Sequence, residues 1–341
     1  MGERTLDRTL LLHVGTHKTG TKALQSMLVL NQQTLAAQGI VVPNAGRVHL
    51  SPEYDTPGHH DLAWELAAPP PHPLLAEVID ELQSRSARTA VVSSEEFAPL
   101  HHRIEAMSEL RAAFADAGYR TVVALYLRPQ ARYAESIFQQ HVRDHHDLSF
   151  AALIDEVLDR GYRERADRRF EFQYSRMLDS LEAAFGGENI VVRPYLPDRG
   201  PEYIHRDFLR LLGMLHGSFS MDFTMTIANE SYTLRELLQG LRRALRDGEE
   251  IDERELAAFL RENHPYFDES MLGHRFLLLR YAEASAFLER FAADNALVAA
   301  RSGAQIPFRS ARDLPPPEHA IWSEAEVHRH LFDAATRAWR R

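Results

Sequence analysis

Thr9–Gln25, TLLLHVGTHKTGTKALQ, sets the reading of the whole chain. The apolar run Leu10–Val14 has the character of a strand buried on both faces. It breaks at Gly15 into a loop carrying Lys18 and Gly20, then turns helical with Leu24, Met27 and Leu28 on one side. Strand, Gly/Lys/Thr loop and helix N-terminus together form an anion cradle. The first-turn N–H groups lack an intrahelical acceptor, the helix dipole favours negative charge, and the lysine adds a point charge. A phosphate-bearing ligand is the expectation.

The spacing separates this cradle from two familiar ones. A Walker A loop requires G-x-x-x-x-G-K-[ST]; counting from Gly15 puts Gly20 correctly but Thr21 where the lysine belongs. The dinucleotide fingerprint G-x-G-x-x-G fails because Thr16 and His17 follow Gly15.

Outward from this stretch the pattern repeats. The first helix is predicted to run to a glycine cap at Gln38-Gly39, followed by a short strand or extended piece at Ile40–Pro43. Residues 44–73 are rich in Gly, Pro and His and read as an inserted loop around a short helix near His60–Ala67. Apolar strands recur at Thr89–Phe97, which runs straight into polar residues, and at Thr121–Leu127 and Asn189–Tyr195, with helical periods between them at Leu74–Gln83, Ile104–Ala117, Arg132–Val142, Phe150–Arg160 and Glu171–Phe185. The charged segment 161–169 reads as exposed. This alternation predicts an α/β fold: a three-layer, P-loop-like parallel sheet flanked by helices. Ligands of such sheets lie beyond the carboxyl ends of the strands, which directs Gly15–Thr21, Ser93–Glu96 and Arg128 to one crevice. After a helix at Tyr203–Leu212 the character becomes helical, with Tyr232–Arg246, Glu253–Arg261, Leu272–Asn295 and Trp322–Trp339. The expected division is an α/β core over 1–220 and a mostly helical C-terminal extension over 221–341 packed on it.

At 341 residues the chain can bury a substantial core. Its net charge of -10 argues against a general nucleic-acid binder. It has no cysteine, which removes disulfides, thiolate chemistry and cysteine-ligated metals and fits a reducing compartment. The N-terminal residues read as the first strand rather than a signal peptide, and no apolar stretch approaches transmembrane length. A cytoplasmic location is expected.

Lys18-Thr19-Gly20-Thr21, just after the first strand, resembles the 5′-phosphosulfate loop of the sulfotransferases that use 3′-phosphoadenosine 5′-phosphosulfate (PAPS). Lys22 departs from that family's usual second threonine. Arg128 ending a strand, with Ser136 eight residues later on a helix, resembles the element with which the family holds the 3′-phosphate. A guanidinium fork and a helical hydroxyl suit phosphate oxygens. The resemblance is to the bacterial branch and runs from about Leu10 to Leu212. It includes H59-H-D-L-A63, VVSSEEF, LYLRPQ with YAESIFQQHV, NIVVRPY and FLRLLG, and Asn229-Glu230-Ser231 looks like the family's Asn-x-Ser element.

The resemblance implies sulfuryl transfer from PAPS as co-substrate to a hydroxyl, or less readily an amine, of a carbohydrate, lipid or small metabolite. It implies donor contacts from His17, Lys18, Thr19, Gly20, Thr21, Lys22, Arg128 and Ser136. Lys18 is also the candidate for stabilising charge on the leaving phosphate, and no metal is expected. The family's base is a histidine or a glutamate, and here the second core strand ends in S93-S-E-E-F97. Glu95 and Glu96 are therefore candidates. In an extended strand end they would point to opposite sides, with Glu95 preferred. His60 is the rival, reaching in from the long loop. His13 reads as a buried, hydrogen-bonded histidine, and Arg193 as a further residue of the crevice. Two other functions stay open: a nucleotide-dependent kinase, disfavoured by the shifted lysine, and a non-catalytic nucleotide-binding protein.

Overall fold

The computed structural model describes residues 8–47, 57–144, 149–165, 168–196, 199–200, 202–217, 223–225, 232–264, 267–304, 314–318 and 320–340. Its residues group into two units, Met1–Arg128 with Glu164–Asn229 and Asp294–Pro307, and Pro129–Arg163 with Glu230–Ala293 and Phe308–Arg341. This grouping cuts across the expected division at residue 220, because residues 129–163 cluster with the helical C-terminal segments. Asn229-Glu230-Ser231 lies outside the described residues.

The first unit holds the α/β sheet. Its strands are β1 (Arg8–His13), β2 (Ile40–Val41), β3 (Thr89–Ser93), β4 (Tyr119–Leu127) and β7 (Ile190–Pro194), ordered β2-β3-β1-β4-β7. Every adjacent pair is parallel. The charged segment read as exposed forms two short strands, β5 (Tyr162–Arg165) and β6 (Arg168–Glu171).

The register explains why the strands read as unbroken apolar runs. Leu11, Val91 and Val122 lie side by side on one face, Leu12, Val92 and Val123 on the other, all essentially buried. Helices α1 (Thr21–Leu30) and α9 (Tyr203–His216) cover the first face through Leu24, Met27, Leu28, Ile204 and Phe208. Helices α5 (Ile104–Asp116) and α8 (Tyr174–Phe185) pack together and against β4. Burial of one such large apolar side chain contributes roughly 1.5–3 kcal/mol.

The expected helix to Gln38 is broken at Asn31 into α1 and α2 (Gln32–Ala37). The Asn31 amide donates to Met27 O at 2.7 Å and Thr224 O at 2.8 Å, and its Oδ1 accepts from Thr224 N at 3.0 Å. Side-chain bonding to backbone competes there with the helix. The inserted loop carries α3 (His60–Ala67), at the expected position, followed by α4 (Pro73–Ser84).

The second unit is helical: α6 (Gln130–Arg143), α7 (Phe150–Arg160), α10 (Leu234–Leu245), α11 (Glu253–Asn263), α13 (Ala320–Trp339) and the first half of α12 (Tyr281–Ser302). Phe138, Phe150 and Phe332 form its aromatic centre. The helix expected over Leu272–Asn295 starts only at Tyr281, because Glu135 and Gln139 of α6 capture the preceding backbone. Glu135 Oε1 accepts from Leu278 N and Leu279 N at 2.9 and 3.0 Å, and Gln139 donates to Phe276 O at 3.1 Å. Those N–H groups are thereby drawn out of helical pairing. No helix of the described residues is long and apolar enough to cross a membrane.

Candidate active site

The loop between β1 and α1 is pinned to the neighbouring strand. Val14 N and Thr16 N donate to Ala124 O and Tyr126 O, and Tyr126 N donates to Gly15 O at 2.7 Å. Gly15 has φ +83° and Gly20, the N-cap of α1, has φ +77°. Both values are costly for a residue with a Cβ. Lys18 also adopts a left-handed conformation, with φ +62°. Non-glycine residues held there are strained by about 1–3 kcal/mol and concentrate at ligand clamps. No side chain caps α1, and its first-turn N–H groups are the natural anion donors. Thr21 opens that turn; Lys22 beside it is exposed. The Thr19 hydroxyl donates to Thr16 O at 2.5 Å and is fully buried, so it braces the loop.

Arg128 follows β4 and is 7% exposed. Its NH1 donates to Lys18 O at 2.9 Å and its guanidinium lies over the Tyr195 ring at 5.8 Å. Tyr195 also backs the cradle: a Cβ on Gly20 would sit 3.1 Å from its Cε2. Tyr174 O–H donates to Arg128 O at 2.5 Å. Ser136 is half-buried on α6, in the second unit.

The end of β3 departs from the expected extended geometry. Ser94 caps a 3-10 helix, Glu95–His102, by accepting from Glu96 N at 3.0 Å. The opposite-sides argument for Glu95 and Glu96 therefore fails: both begin this helix and both interact with His17.

Glu95 is packed directly against the loop. A Cβ on Gly15 would lie 3.0 Å from Glu95 Cα and Cβ. Gln25 Nε2, on α1, donates to Glu95 Oε2 at 2.9 Å. Burial pushes the Glu95 carboxyl up, but its electrostatic interactions with the His60 and His17 rings, its own backbone N–H and the Gln25 amide outweigh this and hold it below its ordinary range. At neutral pH it is ionised.

Glu96 Oε1 lies 3.5 Å from His17 Nε2 and 3.4 Å from Arg168 NH2. Burial opposes ionisation here too, but His17, Arg168 and the Trp64 indole prevail and bring its pKa to about 2. His17 is nearly buried and packs edge-on against Phe170.

The two adjacent histidines of the inserted loop have separate jobs. His59 Nδ1 accepts from Ser93 N at 3.1 Å and its Nε2 donates to Pro43 O at 3.1 Å, which fixes a neutral ring and ties α3 to β3. Burial, aided by the Arg47 charge, lowers its pKa to about 4. His60 Nδ1 is 2.6 Å from Ser94 Oγ. A Cβ on Gly58 would meet Gln25 Nε2 and His60 Cε1, each at 2.8 Å. Gln25, Glu95 and His60 are thus drawn to the loop as one cluster. His13 is buried against Ser93 Oγ at 2.8 Å as expected, and burial lowers it to about 4.

Arg193 is engaged elsewhere, 3.6 Å from Asp207, where both line a cavity of about 360 Å³ with Tyr203. His101, His102 and Glu171 bring ligand-type atoms within 4.8 Å of one another, a grouping unforeseen in the sequence. Glu171 already accepts from Arg169 at 2.9 Å with Arg176 at 3.8 Å, so the chain itself neutralises it.

Gln25, Trp64, Arg168 and Tyr195 are site residues that sequence reasoning missed. Gln25 carried a signal: it is a polar residue on the buried face of an apolar helix, one turn after Thr21. No protein-family model and no curated protein matches the chain. A solved structure described as a sulfotransferase from Alicyclobacillus acidocaldarius aligns at 21% identity over 70% of this chain and 93% of that one, with a TM-score of 0.41.

Proposed function

We propose that this chain is a sulfotransferase that uses PAPS to sulfate an acceptor hydroxyl. The observation that carries the reading is the packing of Glu95 on Gly15, which sets an ionised, Gln25-held carboxylate beside an anion cradle. The residues present suit such a donor. The cradle floor at Gly20 is one that a Cβ would fill, and Lys18, Lys22 and Arg128 add positive charge around it. His17, Thr21 and the loop amides complete the 5′ end of the proposed donor site, and Arg128 is assigned to the 3′-phosphate.

The donor supplies an electrophilic sulfuryl group, whose bond to the 5′-phosphate breaks as the acceptor oxygen bonds to sulfur. Lys18 and the first-turn amides of α1 stabilise the charge left on that phosphate. Glu95 receives the acceptor proton. Glu96 is the alternative carboxylate, paired with Arg168 at 3.4 Å and with His17 at 3.5 Å. His60 is the second reading for this role, favoured by the Ser94 contact that orients its ring and leaves Nε2 for a proton.

Incubation with PAPS and a panel of carbohydrate, phenol and alcohol acceptors tests the reading. Formation of a sulfated product together with 3′-phosphoadenosine 5′-phosphate supports it. Transfer from ATP in its place supports a kinase.

A further inference from the structure

Trp64 stands out beside the candidate catalytic cluster because it is a large apolar side chain left 40% exposed. It lies on α3, one turn after His60, and the two rings sit 5.8 Å apart with a 30° tilt. Its helix packs against the 3-10 helix that carries Glu96, and the indole helps to hold that carboxyl down. An exposed aromatic packed beside a second ring offers a flat apolar surface to a ligand.

The groups near Trp64 are polar. The 3-10 helix against which α3 packs carries Glu96, paired with Arg168, and His60 is tied to Ser94. The other exposed large apolar side chains among the described residues, Leu30, Met214 and Leu297, lie on α1, α9 and α12. A steroid, phenol or acyl chain gains its affinity from apolar walls that enclose it. A pyranose ring needs less. It offers one C–H face to an aromatic ring and a rim of hydroxyls to carboxylate and guanidinium groups.

We infer that Trp64 is the stacking platform of an acceptor subsite for a pyranose ring, with Glu96 and Arg168 as its hydroxyl partners. This rests on the sulfuryl-transfer reading for its consequence, since a sugar seated there presents a hydroxyl toward Glu95 and His60. The saccharide contact itself is separable from that reading.

The test is indole ¹⁵N NMR of the full chain, which has three tryptophans. The Trp64 signal is assigned with Trp64→Phe. Methyl glycosides of the common hexoses, hexosamines and hexuronic acids are added singly, with 2-naphthol and octanol as contrasts. At least one glycoside is expected to shift the Trp64 signal saturably while those of Trp322 and Trp339 stay in place. Trp64→Ala is expected to weaken that glycoside about tenfold or more and Trp64→Phe less, both leaving 3′-phosphoadenosine 5′-phosphate affinity unchanged. Failure of every glycoside, or a shift by naphthol or octanol alone, overturns the inference even if the nucleotide binds. A glycoside shift in a chain that does not bind the nucleotide keeps the sugar subsite and removes the sulfuryl-transfer reading.

Discussion

Gly15 and Glu95 touch: a Cβ placed on Gly15 would stand 3.0 Å from both Cα and Cβ of Glu95. Residues eighty positions apart are thereby locked at the ends of adjacent parallel strands, β1 and β3. Gly15→Ala would add this clash to a φ of +83°. It is expected to cost roughly 1–3 kcal/mol in stability and to weaken nucleotide binding. Denaturant unfolding and nucleotide titration measure both, and wild-type values in the two assays contradict the role given to this contact.

Glu95→Gln preserves size but removes the proton acceptor. Turnover should fall about 10²–10⁴-fold with little change in nucleotide affinity. His60→Asn and Glu96→Gln, assayed alongside, rank the other two candidates. Near-normal turnover in Glu95→Gln with loss in His60→Asn moves the proton to the imidazole.

The sheet was legible because parallel strands buried on both faces are written as short apolar runs, and the loop because its glycines and lysine are contiguous. The surroundings of Glu95 were not. Its partner Gln25 lies seventy positions away, and its backbone direction depends on the Ser94 cap that turns a strand end into a 3-10 helix. The break at Asn31 and the late start of α12 both depend on polar side chains bonding backbone far away in sequence. Asn31 joins the backbone of Thr224, and Glu135 takes up backbone that local periodicity assigns to a helix.

Buried histidines give a pH dependence. Burial holds His13 and His59 at about 4, against 6.5 for the ordinary group. Both are neutral in the fold but protonated in the unfolded chain between those values. Their stabilising effect is therefore complete above about pH 6.5 and is lost as the pH falls toward about 4, roughly 3 kcal/mol for each. Denaturant midpoints across this range should decline with acidity. A flat profile down to about pH 5 contradicts the buried neutral assignment.

Arg128→Ala should discriminate between nucleotides. Loss of a largely buried guanidinium contact to phosphate is expected to cost roughly 2–4 kcal/mol for nucleotides bearing a 3′-phosphate. Adenosine 5′-phosphosulfate, which lacks that phosphate, should lose less, the residual loss reflecting the Arg128 bond to Lys18 O. Equal losses for the two classes would make Arg128 a brace of the loop alone.

Calorimetric titration of the purified chain with 3′-phosphoadenosine 5′-phosphate and with ATP, each in excess chelator, tests the central claim most directly. The account predicts metal-independent binding of the bisphosphate at micromolar affinity or tighter, and much weaker binding of ATP. Equal affinity for ATP, or a strict requirement for magnesium, would contradict it.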